Sequence, residues 1–278
     1  MHLIPIGLAA TILLAAAQPV ESQNVPAAPQ LSYADLADLA LGAPVAAHVR
    51  VDRAEALRER DVTGVPAGHR RFLIEANVVA LIRGTGVPPR ISYLVDLPND
   101  PRGRAARVRR RSEYLVLASA APDRPGALRL VAPDAQIPFT AEAAERLRAI
   151  LRDSSVAGAP PRITGIGRAF HVPGSLPGES ETQIFLQTSD NRPISLNVLR
   201  RPGERPRWSV ALSEIVDDAA APPGPDTLLW YRLACTLPPS LPAQSLREAG
   251  REEARAIAAD YRLVLERLGP CARTRPRG

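Results

Sequence analysis

The sequence predicts an α+β protein, mainly antiparallel β, in which an N-terminal five-stranded small barrel (OB-like) is followed by a four-stranded antiparallel meander with C-terminal helices. Three observations lead to this. Residues 71–83 read RFLIEANVVALIR, placing Phe72, Ile74, Ala76, Val78, Ala80 and Ile82 on one face of an extended chain. After GTGVPPR the run ISYLVDL resumes the alternation, so the two segments form a hairpin at a sheet's centre. Five runs of this kind, broken by Pro and Gly turns, lie before residue 138, and four more begin at residue 162. A strand of thirteen residues is about twice the usual length and has to curl, which a barrel requires. Asn77 interrupts its pattern and is a candidate bulge.

In chain order, residues 3–17 (LIPIGLAATILLAAA) are apolar, too short to span a bilayer comfortably, and end in Ala15-Ala16-Ala17 before Gln18. They read as a secretory signal peptide, with an uncleaved anchor as the alternative. The mature chain is expected in the periplasm or secreted. Residues 18–31 are Pro-bearing and aperiodic, a flexible leader. The barrel domain is expected over 32–138. It opens with a short helix capped by Ser32 and continues into a strand from Val45, on which alternation turns His48 to the wet face. The strands EYLVLAS and ALRLV complete it. The α+β domain is expected over 139–278, with a helix from Thr140 to about Arg152. Its strands are RITGIGRAFHV, TQIFLQT, PISLNVLR and RWSVALSEIV. Two helices follow, one from an Asp226 cap to about Thr236 and one from about Gln244 to Leu268, where Gly269-Pro270 stops it.

Composition excludes more than it assigns. Of 278 residues 45% are hydrophobic but only 4% aromatic, so the core is aliphatic and no cofactor-stacking surface is advertised. The net charge is +6, and the 35 cationic side chains are all Arg, which with 29 Pro and 18 Gly reads first as GC-rich coding bias. The charge is therefore weak support for an anionic partner.

No catalytic constellation stands out. His48, His69 and His171 read as surface histidines, and no Ser has the strand-to-helix GxSxG setting. There is no HExxH and no His pair at i, i+4, so no metal or cofactor is expected. Asp190-Asn191 and Asp217-Asp218 suit turns and caps, and Gly165-x-Gly167 suits a bulge or close strand packing. One concentration remains: Arg102, Arg104, Arg107, Arg109, Arg110 and Arg111 fall within ten residues with no acid among them. Such a loop can hold phosphates or carboxylates bidentately, the partner being an anionic envelope component or an acidic protein. Nucleic acid is not expected, because no aromatic interleaves the arginines. The bland alternative is a solvated loop.

The two cysteines of an exported chain have one intramolecular pairing, Cys235 with Cys271. A simple antiparallel helix pair would separate them, since a second helix of twenty-five residues is roughly 37 Å long. The Pro-rich segment LPPSLPA (237–243) is therefore expected to run back along that helix, which then returns Cys271 to Cys235. Finally, GVPPRISYLVDLP (86–98) and RPISLNVLRRPGERPRWSVALSEIVDD (192–218) resemble segments of an uncharacterised family of exported bacterial proteins with no assigned activity. The resemblance implies export and no chemistry. The function expected is a non-enzymatic binding or assembly module of the cell envelope; the alternative is a secreted or periplasmic hydrolase whose site assembles only in the fold.

Overall fold

Strand β1 (Val45–Ala56) decides the architecture, because its two faces are buried in different places. Val45, Ala47, Val49 and Val51 point into one apolar core and Ala46 into another. The computed structural model describes residues 31–212 and 221–275. The expected signal peptide, nearly all of the expected leader, the end of the last predicted strand and Asp217-Asp218 lie outside the described residues.

The first core is the inside of a closed barrel. β1, β2 (His69–Arg83), β3 (Arg90–Pro98), β5 (Ala127–Leu130) and β4 (Glu113–Ala120) are neighbours in that order, and β4 closes on β1. Every pairing is antiparallel except the parallel contact of β3 with β5, and a short β6 (Gln136–Pro138) extends β4. This is the predicted OB-like barrel. The central hairpin alternates as read: Phe72 faces Val95, Ile74 faces Tyr93 and Ala76 faces Ile91, all turned inward. Tyr93 is 2% exposed, and its hydroxyl is satisfied by donating to Gln136 Oε1 at 2.8 Å. Asn77 is not the bulge, since it pairs regularly with Arg50. The register slips instead beside Val79 and Ile82 on β2 and beside Asp52 on β1. Those extra residues bend the long strand, and one of them, Ile82, packs on the second core.

The second core gathers helix α1 (Tyr33–Gly42), the outer face of β1 and β4 (Ala46, Leu115, Leu117), α2 (Ala141–Asp153), a second sheet, α3 (Leu228–Ala234) and α4 (Arg251–Leu268). That sheet is an antiparallel meander, β7 (Ile163–Pro173), β8 (Ser180–Thr188), β9 (Ile194–Arg200) and β10 (Arg207–Ala211). Register slips around Gly165 and Gly167 match the bulge reading, and a Cβ on Gly167 would stand 3.4 Å from Phe185 O. Ser32 and Thr140 cap α1 and α2 as expected, each accepting a backbone N–H three residues on. Asp226 does not cap α3. It sits at φ 55°, outside the extended geometry of an N-cap, and Thr227 takes the role by accepting from Trp230 N.

His48 corrects the sequence reading. It is 7% exposed, stacked on Phe139 with centroids 3.7 Å apart, and its Nε2 lies 2.9 Å from Glu113 Oε2. Alternation placed it on the outer face correctly, but α1 and α2 cover that face here.

The chain's end closes the structure. The long helix predicted from Gln244 is instead a 3-10 turn (Ala243–Leu246) followed by α4, which spans about 27 Å. The Pro-rich segment does run back along it, because Tyr261 in mid-helix donates its hydroxyl to Pro238 O at 2.6 Å. Cys235 and Cys271 stand at disulfide distance, sulfurs 2.08 Å and α-carbons 4.8 Å apart. Closing a loop of this length stabilises by up to about 4 kcal/mol on the chain-entropy account. Beyond Cys271 a strap crosses back over α1. Arg273 forks onto Asp38, which also accepts from Tyr231, while Thr274 and the Arg275 N–H meet the buried Asp35. Arg275 reaches the barrel itself, pairing with Asp134 between β5 and β6. Burial pushes the carboxyls of Asp35 and Asp38 up, but the hydrogen bonds they receive outweigh it and hold both below the usual range. For Asp134 the Arg275 fork is the dominant cause.

Candidate functional site

The barrel's outer surface over β2, β3 and β5 is left uncovered by the helices, and it forms a groove of about 980 Å³. Its floor follows from strand period. Inward residues alternate with outward ones, so Arg71, Leu73 and Glu75 of β2 face Asp96, Leu94 and Ser92 of β3 across the pair. Two of those pairs set the floor's chemistry. Leu73 and Leu94 make an apolar strip, with Leu94 47% exposed. Arg71 forks onto Asp96, Nε to Oδ1 and Nη2 to Oδ2 both at 2.7 Å. The same guanidinium donates to Thr63 O and Gly64 O, so it also ties the β1–β2 connection to the sheet. Donating to the Asp96 carboxylate raises the Arg71 pKa above its ordinary value.

One wall is the β1–β2 connection, through Leu57, Asp61 and Val62. The other is the β4–β5 turn, through Pro122, Asp123 and Arg124, continued by Val131, Ala132 and Pro133 after β5. Arg129 projects from β5 beside the floor. Neither Arg124 nor Arg129 has an ion-pair partner among the described residues. Tyr93 is the one aromatic among the lining residues, and its ring is turned into the barrel. A second, smaller cavity of about 340 Å³ lies under the β1–β2 connection, lined by Glu59, His69, Arg70 and Asn99 among others. The Nε of Arg70 and the Oδ1 of Asn99 have no partner in it.

The predicted histidines do not meet. His48 stacks between layers and His69 accompanies the smaller cavity, its Nδ1 on Ala67 O at 3.0 Å. His171 joins a buried network holding α4 to the meander. Thr182 gives its hydroxyl proton to Asp260, so the ring Nδ1, 2.8 Å from the same oxygen, must be the donor to it. Arg200 completes the ring of contacts on Asp260. Thr182 is wholly buried, so its oxygen is out of a substrate's reach. Among the described residues no group of His, Cys, Asp and Glu is arranged to hold a metal ion.

The arginine cluster stands as a loop between β3 and β4, all six side chains exposed. Arg104 is engaged by Asp100 and Arg110 by Asp52. Sequence reasoning missed the groove altogether. Its signals were present in Leu73 and Leu94, apolar on the face opposite the barrel core, but those positions read as an ordinary mixed face.

Comparison with known proteins adds no assignment: no family model matches the chain, and no curated protein matches it.

The Arg71–Asp96 fork predicts a measurable cost. Asp96→Asn removes the charge from a pair whose side chains are only 22% and 15% exposed. It should lower stability by about 1.5 kcal/mol and speed proteolysis between residues 57 and 68. Unchanged melting and unchanged cleavage would show that the fork does not hold the wall.

Proposed function

We propose that the chain is an exported binding module that holds an extended segment of another polypeptide in the groove over β2, β3 and β5. The apolar strip of Leu73 and Leu94 carries the reading. An exposed leucine at the bottom of a walled groove is costly to leave wet and is covered when a ligand lies there. The lining supplies what an extended chain needs. Alternate residues of such a chain are about 6.6 Å apart on one side, so apolar side chains can sit on the strip while an intervening acid meets Arg129 or Arg124. Bases and sugar rings are poorer fits, since the lining presents no aromatic face to stack on. Small barrels of this kind characteristically bind through this face and its flanking connections, which is an argument from fold alone.

Export rests on the apolar run ending at Ala17 and on two cysteines at disulfide distance, as an oxidising compartment favours. The mature chain should begin at or near Gln18 by intact mass, and full-length protein in the cytosol would overturn export.

The groove is tested by panning a library of random displayed peptides on the oxidised full chain. Enriched sequences should alternate apolar residues with acidic ones. Leu94→Asp should weaken them more than tenfold, about 1.4 kcal/mol, while Leu81→Asp, on an exposed leucine outside the groove, should not. Peptides that bind Leu94→Asp as tightly as the parent would refute the site.

A further inference from the structure

We infer that the loop between β3 and β4 is a second docking surface, independent of the groove, that carries the barrel onto a bilayer of anionic phospholipid. The loop is built to hold its charges outward. Ala105 and Val108 pack against the barrel core, and the arginines between and around them are left on the surface. Its ends are fixed. Asp100 Oδ1 accepts the N–H groups of Arg102 and Arg104, and the Arg111 N–H donates to Val51 O. The display is therefore part of the folded barrel.

Pairing then separates the six arginines. Arg104 and Arg110 are neutralised by Asp100 and Asp52. The remaining acids of β1, β3 and β4 are already committed, Glu55 to Arg53, Asp96 to Arg71, and Glu113 to Arg50 and His48. Arg102, Arg107, Arg109 and Arg111 have no ion-pair partner among the described residues. Residues 101–111 (PRGRAARVRRR) contain no Ser, Thr, Asn or aromatic side chain. Recognition here is thus by charge alone, which suits a surface of repeating phosphates better than a single ligand needing converged, specific donors. With its apolar members turned inward, the loop can lie on headgroups without inserting. Each basic residue near an anionic surface is worth about fivefold in partitioning, so four give on the order of several hundredfold at low salt.

The test is sedimentation of the oxidised full chain with vesicles of phosphatidylcholine alone or with a third phosphatidylglycerol. Binding should require phosphatidylglycerol and fall steeply as salt rises. A variant with Gln at 102, 107 and 109 and Asn at 111, where φ is 70° and Asn is tolerated, should lose most of it while keeping the parent melting temperature. The matched control replaces four exposed arginines of α4, Arg251, Arg255, Arg262 and Arg267, by Gln. It removes the same charge from a helix whose arginines are interspersed with acids, and it should bind nearly as the parent does. Should the loop variant fold poorly, the Arg107→Gln, Arg109→Gln pair, which spares both fixed ends, should still cost more than tenfold. No binding to the charged vesicles, equal loss in loop and helix variants, or loop-dependent binding to soluble polyglutamate without binding to vesicles would each overturn the proposal.

Discussion

A fully buried carboxylate is tolerable only where enough donors converge on it, and Asp35 in the first turn of α1 obtains its donors from the far end of the chain. Thr274 and Arg275 follow closely on Cys271, which stands beside Cys235 and so starts the strap next to the end of α3. The strap that results binds α1 through Asp35 and Asp38, the end of α3 through the Cys235 carbonyl and the Tyr231 ring, and the barrel through Asp134. Three elements distant in sequence are thereby held at one seam. The seam adjoins Val131, Ala132 and Pro133, a wall of the groove. Pairing with Asp134 thus ties the chain's end to the edge of the candidate site.

Two cores meet at the sheet formed by β1 and β4. Val116 and Ala118 of β4 face the barrel interior while Leu115 and Leu117 face the helices. Covering that side of the barrel leaves β2, β3 and β5 as its open side, so the groove's position is a consequence of where the helices pack. The charge distribution follows a similar logic. Asp96, Glu113 and Asp134 are engaged by nearby arginines, whereas four guanidiniums of the loop after β3, those of Arg102, Arg107, Arg109 and Arg111, have no ion-pair partner among the described residues.

Much of the architecture was legible because it depends on local pattern. The alternation in residues 71–83, the Ser32 and Thr140 caps and the turn at Asp190-Asn191 each follow from neighbours in sequence. Cys235 and Cys271 were legible by arithmetic, and the path of LPPSLPA by length. What failed depended on contacts distant in sequence. His48 looked wet because nothing in Val45–Asp52 announces that α1 and α2 will cover that face. Asn77 looked like the bulge because it is polar, whereas the slips at Val79 and Ile82 arise from fitting β2 to a curved β1. The groove was invisible because Leu73 and Leu94 acquire meaning only when paired across the hairpin and walled by connections 57–62 and 121–124. The strap was invisible because nothing in Arg273, Thr274 and Arg275 points to Asp35 and Asp38, which lie at the other end of the chain.

The disulfide-anchored strap holds α1 and the groove's edge as one seam. Backbone hydrogen exchange of the full chain, oxidised against reduced, tests it most directly. Reduction should cut protection over residues 33–42, 131–138 and 228–235 while leaving the barrel interior at 72–76 and 91–95 as protected as before. Unchanged protection at the seam, or a uniform loss through both cores, would contradict the claim.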